Sequence, residues 1–539
     1  MGLALLLASC TSYSKVGQVS ERSIATTEAQ REALRAARGI GNQPQDQIGT
    51  YLDSAADASR RLAANPADTE ARSDYNFAVA RVIETITDND LAPWDAPINC
   101  ASSGGRSWNL SLPPFSSRSE LHPSNLRFYP ADRYSLKGSL LGERKVKAGL
   151  GAPVVVQSAN LDLSKLDEFA LPEKAAYGLT AVLRFDGSAC ELALIDPLAS
   201  ETVSFEGRSY PLAADFQAPV LITVANLDVR KNELKRFFKP SRYENSAKLT
   251  RLQPYDPSKI PVLFVHGLSN SPAIWVPMID YLREDPVIRQ NYQIWVYGYP
   301  SGQPYPVPTA ELRRKLDRIK QKYPDHKDVV LVGHSMGGMI SRLLVTDSGL
   351  TLWNSAFDEP PGEIGVSQET LDYLTDLFIF KSRPDVSRVI YASASHRGSE
   401  DATTRLGKLG AKLIGDPVNE NAITREAISA TRPGAAANEL HRVPNSVDVL
   451  NPDSPFLKAV DTIPVDPSIP FHSIIGDQGK GGNRSRTEPV STDGIVPYWS
   501  SHLDGAESEL IIPSGHWTIL EKEAMEEVRR ILYLHLKAQ

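Results

Sequence analysis

One serine in this chain stands in a setting that can make it a nucleophile. Ser335 lies in Gly333-His334-Ser335-Met336-Gly337, a Gly-x-Ser-x-Gly run. A hydroxyl attacks a carbonyl carbon poorly on its own. It needs a base to take its proton and donors to hold the oxyanion that forms. This pentapeptide pattern marks a strand that turns sharply into a helix, with the serine hydroxyl held exposed at the turn. Glycines on either side let the backbones pass closely. The chain has ten histidines from which a base could come. Asp477 and Asp493 are acids that could accept from its imidazole.

Such groups work only if secondary structure holds them, so the flanking patterns matter. Val329 to Val332 reads as a strand before Ser335, and Gly337 to Val345 as the helix after it. The same rhythm extends both ways. Pro261 to Val265 is a buried strand. Ser271-Pro272 opens a helix, with Ser as cap and Pro at the first helical position, and Trp275, Met278, Ile279 and Leu282 form its apolar face. Ile294 to Tyr297 is a strand, and Pro308 to Tyr323 a helix with Leu312, Leu316, Ile319 and Tyr323 on one stripe. Val389 to Tyr391, Phe471 to Ile475 and Leu510 to Ile512 bring the strands to six, and a last helix runs from about Ala524. Alternating strands and helices imply a mostly parallel sheet with helices on both faces. Two insertions interrupt it, at 347–386 (a helix at Gln368 to Phe380) and at 399–455 (Leu406, Leu409, Leu413 and Ile414 on an amphipathic helix). Both follow core strands, on the side where an open α/β sheet carries its active site, and are expected to form a helical lid.

Residues 260–539 resemble the α/β-hydrolases, and among them the bacterial lipases and related esterases. Besides the Ser335 run, the resemblance is carried by Val265-His266-Gly267, by Ser395-His396-Arg397-Gly398-Ser399, and by Leu450 to Leu457. It implies an α/β-hydrolase fold, cleavage of carboxylic esters through an acyl-enzyme, and no cofactor. In this fold the order is Ser, acid, His, with the base after the last strand. His516, in Ser514-Gly515-His516-Trp517, is in that place. His502 resembles a non-catalytic stretch of the lipases, and His535, in the final helix, reads as a surface residue. The resemblance favours Asp493, in Thr492-Asp493-Gly494-Ile495-Val496-Pro497, as the acid. Asp477, at a strand end, is the alternative. The oxyanion donors are expected to be the amides of Leu268 and Met336. His266 and His334 read as structural, and His396 as a residue that bonds its loop. Some lipases hold calcium with an Asp two residues after the base; that position is Thr518 here. No His-Glu-x-x-His or Cys-x-x-Cys set occurs, so no metal site is expected. Gly479-Lys480-Gly481-Gly482 lacks the features of a phosphate cradle and reads as a loop.

The rest of the chain carries no catalytic motif. Of its 539 residues, 41% are hydrophobic and 23% charged, which suits a globular protein of several domains. No stretch is apolar for the roughly 20 residues of a membrane helix. A net charge of -7, with Lys and Arg scattered among acids, argues against nucleic acid as a partner. Leu7-Ala8-Ser9-Cys10 resembles a bacterial lipobox, which implies cleavage before Cys10, lipid attachment there, and an outer-membrane lipoprotein facing the periplasm. The resemblance departs in lacking a basic stretch before the apolar run. Residues 1–10 then read as a signal remnant and 11–24 as a tether; the alternative is an unprocessed hydrophobic N-terminus on a soluble protein. Residues 25–95 read as helical, and a hairpin around Ala64 to Ala67 reads better as part of a plain bundle than as a repeat. Residues 96–250 form a β-rich domain, with runs at Val154 to Val156, Leu179 to Phe185, Leu192 to Ile195 and Val220 to Val224. Residues 239–259 read as a linker, and the catalytic domain as 251–539. Cys100 and Cys190 are left either to pair or to lie buried separately. The partner implied is a small-molecule or lipid ester. Acyl transfer, or amide or lactone hydrolysis, would use the same triad. A reading from another class is an envelope interaction protein with an idle hydrolase domain.

Overall fold

In the computed structural model, the strand that leads to Ser335 is the middle strand of a seven-stranded sheet. The structure describes residues 14–113, 122–138, 144–158, 167–170, 172, 174–227, 229–399, 422–435, 444–479 and 491–538. They fall in two compact units, Thr11–Asp228 and one that takes in Val229–Gln539.

The sheet around Ser335 belongs to the second unit. Its strands are β1 (Lys248–Arg251), β2 (Ile260–Val265), β3 (Tyr292–Gly298), β4 (Val329–His334), β5 (Val386–Ala392), β6 (Phe471–Gly476) and β7 (Ser508–Ile512). Their spatial order is β1-β3-β2-β4-β5-β6-β7. All neighbours are parallel except β1, which runs antiparallel to β3. Every residue of β2 and β4 is buried. Uninterrupted Val, Ile and Leu runs behave this way because helices cover both faces of a parallel sheet. The helix Val276–Glu284 packs Met278, Ile279 and Leu282 onto one face, joined by Val528, Ile531 and Leu532 of the helix Lys522–Ala538. Each such side chain contributes about 1.5–3 kcal/mol on burial. This is the α/β-hydrolase fold expected from the sequence, with a seventh strand added. β1 lies inside the stretch 239–259 read as a linker. Lys-Leu-Thr-Arg has no apolar run to mark it, and charged residues are common on edge strands. Pairing of Lys248 to Arg251 with Gly298 to Trp295 makes it a strand. His535 is also corrected: it is buried, continuing the face of Val528, Ile531 and Leu532.

The insertion at 347–386 forms helices Thr351–Ala356 and Gln368–Phe378. That at 399–455 contributes the helix Ala422–Ser429 and the turn Asp448–Leu450. The amphipathic helix expected around Leu406 to Ile414 lies outside the described residues. Glu426 ties the two insertions together, accepting from the Ser367 and Thr370 hydroxyls at 2.6 Å each.

In the first unit, helices Glu28–Gly39, Pro44–Ala64 and Thr69–Asp88 share one core with a six-stranded sheet. The Tyr75 hydroxyl donates to the Leu183 carbonyl at 2.6 Å and accepts from the Leu183 amide at 2.8 Å. The helical region and the strands up to residue 211, read separately from the sequence, therefore share one packed body, whereas residues 229–250, read as the end of the β-rich domain, fall in the second unit. Two local readings change. Ser14–Gln18, expected in a tether, pairs with Tyr134–Gly138. Val220 to Val224, read as a strand, lies in the helix Gln217–Asn226. Its β-branched residues favour a strand locally, but Ala218, Leu221 and Ile222 fall on one buried helical face, and tertiary packing overrides propensity. Cys100 and Cys190 are both buried free thiols. Burial pushes the Cys100 thiol up to about 12. Cys10 lies outside the described residues.

Candidate active site

Ser335 occupies the turn between β4 and the helix Met336–Leu344 with φ 55° and ψ −125°. A non-glycine residue in the left-handed region is strained and persists only where its surroundings over-determine it. Here the Ser335 amide is bonded to the Ala392 carbonyl at 3.0 Å and its carbonyl to the Gly338 amide at 2.9 Å. The flanking glycines are required by space. A Cβ on Gly337 would lie 2.2 Å from the Val265 carbonyl oxygen and 2.5 Å from that of His266. Gly337→Ala is therefore expected to destabilise by about 3 kcal/mol, read as a lower urea midpoint at unchanged slope.

The structure brings Ser335, His516 and Asp493 together. Ser335 Oγ is 2.9 Å from His516 Nε2, and His516 Nδ1 is 2.8 Å from Asp493 Oδ2. With the proton on Nδ1 donated to the carboxylate, Nε2 is left to accept from the serine hydroxyl. Asp493 comes from the turn after β6 and is buried. Burial by itself would raise its pKa. The charge and hydrogen bond of His516 and the amides of Val496 (2.7 Å) and Ile495 (2.9 Å) outweigh this and hold the carboxyl below its ordinary range. Asp477 takes a different place: its carboxylate accepts from the Gly479 amide at 2.9 Å and shapes the turn. His502 pairs with Glu509 at 2.6 Å.

His334 and His266 brace the centre. His334 Nε2 donates to the His516 carbonyl at 2.8 Å, fixing the backbone of that residue. His266 Nδ1 donates to the Gly267 carbonyl at 2.9 Å, and its ring stacks on Tyr299 at 4.2 Å. Both are fully buried, and desolvation lowers each to about 3. A histidine in the unfolded chain protonates near 6.5. Below that pH the unfolded state takes up protons that the folded state refuses, so stability is lost as pH falls from about 6.5 towards 3. At pH 5 each contributes about 2 kcal/mol of loss. The melting temperature is expected to drop steadily between pH 7 and 5, and a flat profile would contradict it.

Leu268 and Met336 are the expected oxyanion donors; Met336 directly follows Ser335, and Leu268 follows Gly267 in the loop after β2. A Cβ on Gly267 would be 2.8 Å from the Ser335 Cβ, which places the loop after β2 against the serine. Met336 is the first residue of its helix, and amides of a first turn have no partner within the helix. Sequence reasoning missed Tyr299 and Ser301, just beyond β3. The Tyr299 hydroxyl donates to the His266 carbonyl at 2.6 Å, and Ser301 Oγ accepts from the Ser269 amide at 3.0 Å. Their position past the carboxyl end of a strand, where such sites gather, was the available signal. His396, expected to bond its loop, instead packs edge-on against Tyr391 at 4.7 Å, and Arg397 bonds the neighbouring carbonyls of Trp499 and His502 at 2.8 Å each. Thr518 Oγ1 lies 2.9 Å from Ser393 Oγ.

The family described as alpha/beta hydrolases matches residues 262–531, half of the chain. The chain belongs to this family. Among solved structures it is similar to a lipase of Bacillus licheniformis, BlEst2 in mature form, at 20% identity over 53% of this chain and 97% of that one, with a TM-score of 0.32. It is also similar to a lipase-esterase related protein of Clostridium acetobutylicum (14% identity, 53% and 98% covered, TM-score 0.26). An esterase of Exiguobacterium antarcticum stands at 14% identity, 54% and 95% covered, TM-score 0.29. No curated protein matches the chain.

Proposed function

We propose that this protein hydrolyses carboxylic esters, with Ser335 as nucleophile, His516 as base and Asp493 as the acid that orients it. The observation that carries the reading is the unbroken relay from Asp493 through His516 to Ser335, at 2.8 and 2.9 Å, ending on a serine held in the elbow conformation. His516 takes the Ser335 proton as Oγ attacks the acyl carbon. The amides of Leu268 and Met336 stabilise the oxyanion. His516 then protonates the leaving alkoxide. Water, deprotonated by the same imidazole, cleaves the acyl-enzyme and frees the acid.

We infer that the acyl group is apolar and is housed beneath the insertions. A cavity of about 130 Å³ lies between the two insertions, lined by Phe357, Leu374, Phe378, Ile428, Val449 and Phe456. The insertions would then act as its lid. A fluorophosphonate is expected to label the wild-type protein at Ser335, located by mass spectrometry of the adduct. Turnover of nitrophenyl esters is expected to vary with chain length. Labelling elsewhere, or no turnover across the series, would overturn the reading. The lipobox-like run at Cys10 supports a lipid anchor in the envelope, and palmitate labelling that survives Cys10→Ser would overturn that part.

A further inference from the structure

The segment Gly267 to Ser271 is under strain next to the amide assigned to the oxyanion. Ser269, one residue beyond Leu268, has φ 57°. Such a conformation relaxes unless contacts hold it. Three holds come from within residues 262–531: His266 on the Gly267 carbonyl, Ser301 on the Ser269 amide, and Asn270 Nδ2 on the Leu268 carbonyl at 3.1 Å. The others come from the helix Val229–Phe238, which lies outside the segment that matches the family. Its Glu233 is buried, and the Ser271 hydroxyl donates to Glu233 Oε1 at 2.5 Å. The same hydroxyl accepts from the Ala273 amide at 3.3 Å, so this bond also anchors the start of the turn that follows. Four residues on, Phe237 packs with Leu268 and Val447. A Cβ on Gly302 would be 2.3 Å from the Phe237 carbonyl oxygen, which sets the helix end against the loop that carries Ser301.

We infer that Glu233 is a positioning residue for the oxyanion loop. It touches no reacting atom. It fixes Ser271, and with Phe237 behind Leu268 it holds the strained stretch between them, so that the Leu268 amide points where charge develops. The inference rests on the ester-hydrolase reading. A donor displaced by about 1 Å can lower turnover about 100-fold while leaving the ground-state fit alone.

The test compares wild type, Glu233→Leu and Glu233→Gln on a short nitrophenyl ester, with inhibition by a phenylboronic acid as a measure of the tetrahedral adduct. Glu233→Leu is expected to lose about 100-fold in kcat with KM within about twofold, and its boronate affinity to fall in step. Glu233→Gln keeps an acceptor for the Ser271 hydroxyl and is expected to restore most of both. Should Glu233→Leu fail to fold, Ser271→Ala removes the same bond from the other side and is read the same way. Leu and Gln variants that are equally poor, or a Leu variant within about threefold of wild type, would overturn the positioning role. A wild-type protein that neither turns over the ester nor binds boronate would overturn the ester-hydrolase reading first, and the positioning role with it.

Discussion

Ser335→Ala and His516→Ala are each expected to lower kcat on an activated ester by about a million-fold, and the double variant to be no worse than either. The two side chains are 2.9 Å apart and act on one proton. Without His516 the hydroxyl stays protonated at the moment of attack. Without Ser335 the imidazole has nothing to activate but water. Once one is gone, the other has no role left to lose. What remains is the contribution of the backbone amides, about 10³–10⁴ over the uncatalysed reaction, because no side-chain change removes them. Single-turnover kinetics with a nitrophenyl ester measure this. Additive losses in the double variant would mean that the two groups work separately, contrary to the relay. Unchanged melting temperatures for the single variants would show that chemistry rather than folding was removed.

Asp493→Asn carries the second-largest expected effect, about 10⁴ in kcat, whereas Asp477→Asn is expected to stay within about twofold. An asparagine at 493 can still accept from the Val496 and Ile495 amides, so the turn survives. Its NH₂ can present hydrogens to His516 Nδ1, however, and then the ring proton moves to Nε2. Nε2 would face Ser335 as a donor when an acceptor is needed. The loss of negative charge also removes stabilisation of the imidazolium formed during attack. Asp477 has no such contact, since its carboxylate is spent on the Gly479 amide. A large loss from Asp477→Asn with a small one from Asp493→Asn would reverse the assignment.

Much of the fold around Ser335 is legible because it is local. The Val and Ile runs of β2, β4, β5 and β6 have no other stable home than a covered parallel sheet. The glycines around Ser335 mark a close approach that their backbones then make. The edge strand Lys248–Arg251 was not legible, because four residues with two charges take strand form only when β3 lies beside them. Nor was the helix Gln217–Asn226, whose strand-like residues are overruled by the face they bury.

The sequence by itself determined the fold class, the elbow and the short list of groups that could act there. Its residue patterns left two acids, Asp477 and Asp493, 16 positions apart and each in turn-like surroundings, and only the family resemblance favoured Asp493. Tertiary structure decided which one meets His516, because a hydrogen bond depends on where two distant backbones converge and not on the residues beside each acid. The same is true of Glu233. It lies 38 residues before Ser271 and in no motif, and only the packing of its helix onto the loop after β2 brings a carboxylate to that hydroxyl.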